Sequence, residues 1–307
     1  MPATSRKPLH QLLTERKVMA GGYERSYIIH VPSTSGHSPS SLVVMLHGAG
    51  DTARGAVCQT RWHEKADKEG FAVIFPEALR PDPSGPAGFD RNSQIWNDGS
   101  GKGFSCERGI DDCSFIASLT EQVMSELGIP AGNALVTGFS NGGGMAFRLG
   151  NAAPDIFRVT APVCGHFWAE PLPASRPSAL YYLVGGADPI NPLSGGNVTL
   201  PWGTVTKPPV ADSLNKWLSA SGLPNAPEEE RSSGGVTTDF YGNGRSGSAC
   251  ARYVRVSGAG HVWPGGLSAL PAGLAGNDTS LLNATDAIWD FFSALRPDIQ
   301  ERKGANK

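Results

Sequence analysis

Short apolar runs alternate with helix-spaced patterns along most of the 307 residues. "ERSYIIHV" at 24–31, "SLVVMLH" at 41–47 and "FAVIF" at 71–75 are short and rich in β-branched and aromatic residues, and read as strands. Between the last two, "GAVCQTRWHEKADKEG" at 55–70 has the spacing of a helix. A second helix begins near Asp111, where Phe115, Leu119, Val123 and Leu127 recur every fourth residue as a core stripe. "ALVTG" at 134–138, "RVTAPVC" at 158–164, "ALYYLVG" at 179–185 and "ARYVRV" at 251–256 are further strands. The last pattern, "ATDAIWDFFSAL" at 284–295, reads as a helix with Asn283 as its N-cap. This alternation predicts an α/β fold: one mostly parallel central sheet with helices on both faces. No internal repeat and no linker divides the chain, so a single domain is expected.

The 39 glycines and 24 prolines make about a fifth of the chain, against a typical ~12 %. Long structured loops follow, above all residues 78–109, "ALRPDPSGPAGFDRNSQIWNDGSGKGFSCERG". The 26 basic and 28 acidic residues show no large block of either sign, which argues against a nucleic-acid partner. No apolar run reaches the ~18 residues of a membrane span. The N-terminal "MPATSRKPLHQLLTERK" lacks the apolar centre of a signal peptide, so the protein is expected to be intracellular or to have lost a leader. Five cysteines match no zinc spacing; free thiols are expected, with a Cys106–Cys113 disulfide as the alternative.

The chemistry centres on "TGFSNGGGMAF" at 137–147. Glycine inside an element costs roughly 0.5–1 kcal/mol relative to alanine, so four of them around one serine imply a demand on backbone geometry. A strand enters this stretch and a helix leaves it, the strand–turn–helix setting of a nucleophile elbow with Ser140 at its apex. A serine hydroxyl needs a base, and in this arrangement the chain order is serine, acid, histidine. Only His166 and His261 follow Ser140, and His166 comes too early for an acid-bearing strand to precede it. His261 in "SGAGHVWPGG" is therefore the expected base. Asp188, directly after "YYLVGG", is the expected acid; Asp155, Asp212 and Asp239 sit near helix ends or in a strand. Asp111 and Asp112 are assigned to helix capping. The oxyanion donors are expected at the backbone N–H groups of Asn141 and Ala49, the latter in the loop His47-Gly48-Ala49-Gly50. His47 is a structural residue holding that loop.

Taken in order, "VVMLHGAG", "IWNDG", "GIDDCSFI", "TGFSNGGGMAFRL", "GGADPINP", "GHVWPGG" and "NATDAIWDFF" make the chain resemble the polyhydroxybutyrate depolymerase and feruloyl esterase-like family of α/β-hydrolases. The resemblance runs over about residues 20–295 of a domain spanning 1–307. Several members of that family read Cys where this chain has Ala49, a difference a backbone donor tolerates. The resemblance implies the α/β-hydrolase fold, carboxylic-ester hydrolysis through an acyl-enzyme, and hydroxycinnamate or short-chain esters as substrates. It also implies a secreted or periplasmic enzyme, with a leader absent from this sequence and a cytoplasmic enzyme as the alternative.

Trp96, Trp263, His166 and Phe167 are the expected substrate-binding residues, since tryptophan offers a large face and an N–H. The segment 194–209, "SGGNVTLPWGTVTKPP", is expected to form a flap over the site. No phosphate loop or paired metal-ligand motif is present, so no cofactor and no metal is expected. The alternatives are a polyester depolymerase and a catalytically inactive hydrolase-fold binding protein. Depolymerases of solid polymer often append a binding module, whereas this chain ends soon after its last helix, which favours soluble esters or oligomers. A binder has no need of Ser140, Asp188 and His261 together.

Overall fold

The computed structural model describes residues 13–33, 38–88, 91–173, 177–200, 203–244, 248–268, 270 and 272–295. Its strands begin with β1 (Thr14–Ala20), β2 (Tyr23–His30), β3 (Leu42–Leu46), β4 (Ala72–Pro76), β5 (Ala134–Phe139) and β6 (Phe157–Val163). They continue with β7 (Ala179–Gly185), β8 (Gly196–Leu200), β9 (Gly203–Lys207), β10 (Glu229–Ser233), β11 (Val236–Tyr241) and β12 (Ala251–Val256). The helices are α1 (Ala53–Thr60), α2 (Trp62–Glu69), α3 (Gly103–Glu107), α4 (Asp112–Leu127), α5 (Asn141–Ala152), α6 (Val210–Ala220), α7 (Ala272–Ala275) and α8 (Ala284–Ala294).

Ten strands form one sheet in the order β1-β2-β4-β3-β5-β6-β7-β12-β11-β10. The strands from β4 to β12 run parallel, and an antiparallel pair flanks each side. Successive side chains on a strand point to opposite faces, which explains why the central strands β3 and β4 are apolar throughout. Along β3, Val43 and Met45 join an apolar layer with α1, α2 and α8. Leu42, Val44 and Leu46 enter the opposite layer, against α4 and α5. Each such side chain contributes about 1.5–3 kcal/mol by leaving water. The two-faced α/β architecture is the one the alternation implies.

The expected helix over 55–70 is two helices. Arg61, at φ 54°, closes α1 and opens α2, so that Trp62 turns into the core against Phe71 at 5.9 Å. No glycine or proline marks this break, and periodicity alone runs through it. Strands β1 and β10 are mostly or wholly exposed and carry charged residues that suit a sheet edge, so no apolar pattern revealed them. All five cysteines are free thiols. Most of the N-terminal stretch read for a leader lies outside the described residues.

Candidate active site

The glycine cluster is explained by contact between backbones. β5 runs into Ser140, which sits at φ 55° and ψ −115°, and α5 starts at the next residue. A Cβ on Gly138 would lie 2.2 Å from the Gly142 carbonyl oxygen, and one on Gly142 would lie 2.3 Å from that of Leu46. Any side chain at either position would push strand, turn and helix apart. Positive φ at a serine costs about 1–3 kcal/mol and persists only where the surroundings hold it. Here Ser140 N–H donates to Val163 O at 2.9 Å, and Gly144 N–H donates to Ser140 O at 2.9 Å.

Loops after β7 and β12 bring Asp188 and His261 to the same end of the parallel strands. His261 Nε2 lies 2.9 Å from Ser140 Oγ, and its Nδ1 lies 2.7 Å from Asp188 Oδ2. With the Nδ1 proton donated to the carboxylate, Nε2 is the acceptor for the serine O–H. The other carboxylate oxygen accepts the N–H groups of Ile190 and Asn191, both at 2.8 Å. Burial by itself would raise the Asp188 carboxyl, but the His261 ring and these N–H donors hold it below its ordinary value. The His261 loop is fixed in turn, its N–H donating to Ala275 O at 2.6 Å. Cys164 lies beside this pair, with donor atoms of the three residues within 4.8 Å. Burial and the Asp188 carboxylate hold its thiol well above the ordinary value, so Cys164 is a neutral member of this hydrogen-bonded cluster.

The loop after β3 faces Ser140. His47 is fully buried, its Nδ1–H donating to Gly48 O at 2.8 Å while Nε2 accepts Ala78 N–H at 3.1 Å. Burial pushes its pKa down to about 4, so it is a neutral strut for the loop that carries Ala49. Ala49 and Asn141 both line the cavity in front of Ser140.

The "IWND" stretch secures this arrangement. Trp96 Nε1–H donates to His47 O at 3.0 Å. The Asn141 side chain accepts Trp96 N–H at 2.7 Å and donates to Trp96 O at 3.2 Å and Asp98 Oδ2 at 2.9 Å. Behind it, Asp112 accepts Asn97 N–H at 2.8 Å and pairs with buried Arg25 at 2.8 Å. Asp111 caps α4 as expected, whereas Asp112 is an interior anchor rather than a cap. The sequence alone does not single out the roles of Asp98, Asp112 and the Asn141 side chain; the available signal is Trp96, Asn97 and Asp98, three hydrogen-bonding or aromatic residues in a row in a loop near the elbow.

A cavity of about 890 Å³ opens in front of Ser140 and His261. His166 lines it, as expected, but the other predicted substrate contacts do not. Trp96 is fully buried and tied to His47. Trp263 is 2 % exposed, packs in the α8-side core and donates from Nε1 to Thr285 Oγ1 at 3.1 Å. Phe167 stacks on Phe147 at 5.3 Å beneath α6. The tryptophan that lines the cavity among the described residues is Trp168, one residue further on. The expected flap is the β8–β9 hairpin, which lends Leu200, Val205 and Lys207 to the wall; residues 201 and 202 at its turn lie outside the described residues.

The family model described as "Esterase PHB depolymerase" matches residues 25–188, more than half of the chain. The chain belongs to this family. It is an ester-hydrolysing enzyme of the α/β-hydrolase fold. It is 28% identical to feruloyl esterase C of Emericella nidulans, over 88% of this chain and 84% of the relative. It is 24% identical to poly(3-hydroxybutyrate) depolymerase of Ralstonia pickettii, over 84% of this chain and 54% of the relative. Among solved structures, acetyl xylan esterase from Aspergillus awamori superposes with a TM-score of 0.59 at 16% identity, covering 81% of this chain and 94% of that one. At that identity the likeness concerns the fold. Among the described residues no helix is long and apolar enough to cross a membrane.

Proposed function

We propose that this family member is a serine carboxylic-ester hydrolase acting on feruloyl-type aromatic or short-chain acyl esters, with one domain over about residues 20–295 carrying the whole site. The observation that carries the reading is the continuous hydrogen-bond chain from Ser140 Oγ through His261 to Asp188. In the first half-reaction His261 Nε2 takes the Ser140 proton as Oγ attacks the ester carbonyl. Asp188 keeps the ring in the required tautomer and stabilises the imidazolium. The N–H groups of Asn141 and Ala49 receive the developing oxyanion. His261 then protonates the departing alcohol, leaving an acyl-enzyme on Ser140, and water repeats the sequence to release the acid.

The cavity supports the substrate class. Phe139, Trp168, Ile190 and Leu200 give it apolar walls wide enough for an aryl or short alkyl acyl group. Polyester hydrolysis is the second reading, favoured by the match to the poly(3-hydroxybutyrate) depolymerase. The test combines a serine-directed phosphonate with variants. The reagent is expected to label Ser140, read by peptide mass spectrometry. Ser140→Ala and His261→Ala are each expected to lower kcat by roughly 10⁴–10⁶, since members of such a set act as a unit. Ester hydrolysis that survives Ser140→Ala at full rate would refute the reading.

A further inference from the structure

Six ionisable side chains line the cavity: Asp51, Asp98, Lys102, His166, Lys207 and His261. Four of them are occupied or neutral. His261 serves Ser140 and Asp188. Asp98 is held by Asn141 and by the Ser100 N–H at 3.0 Å. Asp51 accepts the Thr52 N–H at 2.8 Å through Oδ1 at the start of α1, while Oδ2 is buried without a hydrogen-bond partner and burial raises the carboxyl above its ordinary value. Burial pushes the His166 ring down to about 4, so it carries no charge.

The two lysines differ from these. Among the described residues, neither Lys102 nor Lys207 takes part in an ion pair or a side-chain hydrogen bond. Lys207 is the last residue of β9 and is half-buried, with Nζ 5.9 Å from the centre of the Trp168 ring. Its hairpin is pinned to the loop after Asp188 by the apolar cluster of Ile190, Val198 and Leu200. Burial and the charge of Lys102 push the Lys207 ammonium below its ordinary value, against the pull of Asp188 and Asp98. A half-buried cation crowded by a second one gains from any anion that replaces lost water.

On the reading of the site given above, we propose that Lys102 and Lys207 form an anion subsite that selects esters carrying a free carboxylate some distance from the scissile bond. Trp168 and Val205 cover the apolar stretch between the two ends. The substrate class is the half-ester of a dicarboxylic acid, or the ester of a hydroxy acid with its own carboxylate free. In the first the anion lies on the acyl side, in the second on the alcohol side.

Two matched pairs test this at pH 8. One pair is mono-4-nitrophenyl adipate and its neutral methyl ester; the other is 4-acetoxybutanoate and its methyl ester. The wild type is expected to favour the anion by about tenfold in kcat/KM in at least one pair, and that pair identifies the side. The preference should shrink as sodium chloride is raised to about 1 M, where screening acts within ~3 Å. Lys207→Gln should bring the anion-to-neutral ratio to about one, and Lys207→Arg should retain it. Using a ratio cancels any effect of the substitution on Asp188, which acts on both substrates. A ratio at or below one for both pairs, or one indifferent to salt and to Lys207→Gln, overturns the subsite. If neutral esters are then still hydrolysed and Ser140→Ala abolishes that activity, the serine-esterase reading stands while the subsite falls.

Discussion

Asn141 sits at the hub of the site, and its side chain can be removed without touching the backbone N–H assigned to the oxyanion. Asn141→Ala deletes three hydrogen bonds, two to the Trp96 backbone and one to the Asp98 carboxylate. Leaving the Trp96 N–H without its acceptor costs about 1–3 kcal/mol, and depriving a buried carboxylate of a donor costs about as much. The expected destabilisation is therefore about 2–6 kcal/mol. With an unfolding entropy of ~2.1 cal/mol/K per residue, a chain of this length should lose about 3–9 °C in Tm. Activity should fall as well, because Trp96 Nε1–H holds His47 O and with it the Ala49 loop. A displaced oxyanion donor costs about 10²–10³ at most, and a loosened one about tenfold or more in kcat/KM. Thermal unfolding and steady-state kinetics on one purified variant measure both, and a cycle with Asp98→Ala should give a coupling of about 1–3 kcal/mol. A Tm within about 1 °C of the wild type, with unchanged kcat/KM, would refute the clamp.

Trp263→Ala should cost about 3–5 kcal/mol of stability by opening a core cavity, and should lower aryl and acetyl ester hydrolysis alike; a loss confined to the aryl ester would return Trp263 to the cavity. Gly142→Ala should abolish soluble active enzyme, since its Cβ would meet Leu46 O at 2.3 Å, and normal expression with normal kcat would contradict the elbow geometry. Burial pushes the Glu77 carboxyl up to about 7 against the donors Ala53 N–H and Gln94, so the folded state binds this proton more tightly than the unfolded chain does. Its contribution is fully present below 4.5 and is lost as pH rises through about 7, so the Tm of the wild type relative to Glu77→Gln should fall across that window and level off above it.

What was legible in the sequence depended on whether one physical constraint dominated a position. Ser140 stood out because backbone atoms on three elements exclude a side chain at Gly138 and Gly142, and only glycine satisfies that. Asp188 and His261 followed from chain order and from their places just beyond apolar strands. The parallel core was legible for a similar reason, since strands covered on both faces carry few polar positions. Tryptophan carries no such single meaning. The same flat face and N–H that suit a substrate pocket also suit a core site with one acceptor in reach, and Trp96 and Trp263 each found one, His47 O and Thr285 Oγ1. Distance in sequence from His261 did not help, because consecutive residues in a loop point in different directions: His261 turns to Ser140 while Trp263 turns to α8. Lys207 was illegible for the opposite reason. It ends a short hairpin that alternates valine and leucine with threonine, asparagine and glycine, a composition that also suits a solvated surface; the packing of Ile190, Val198 and Leu200 folds it over the cavity. A lysine at the end of a short strand carries no periodicity and no motif, so the role proposed for it rests on the lack of an ion-pair partner among the described residues, and that is a property of the folded chain alone.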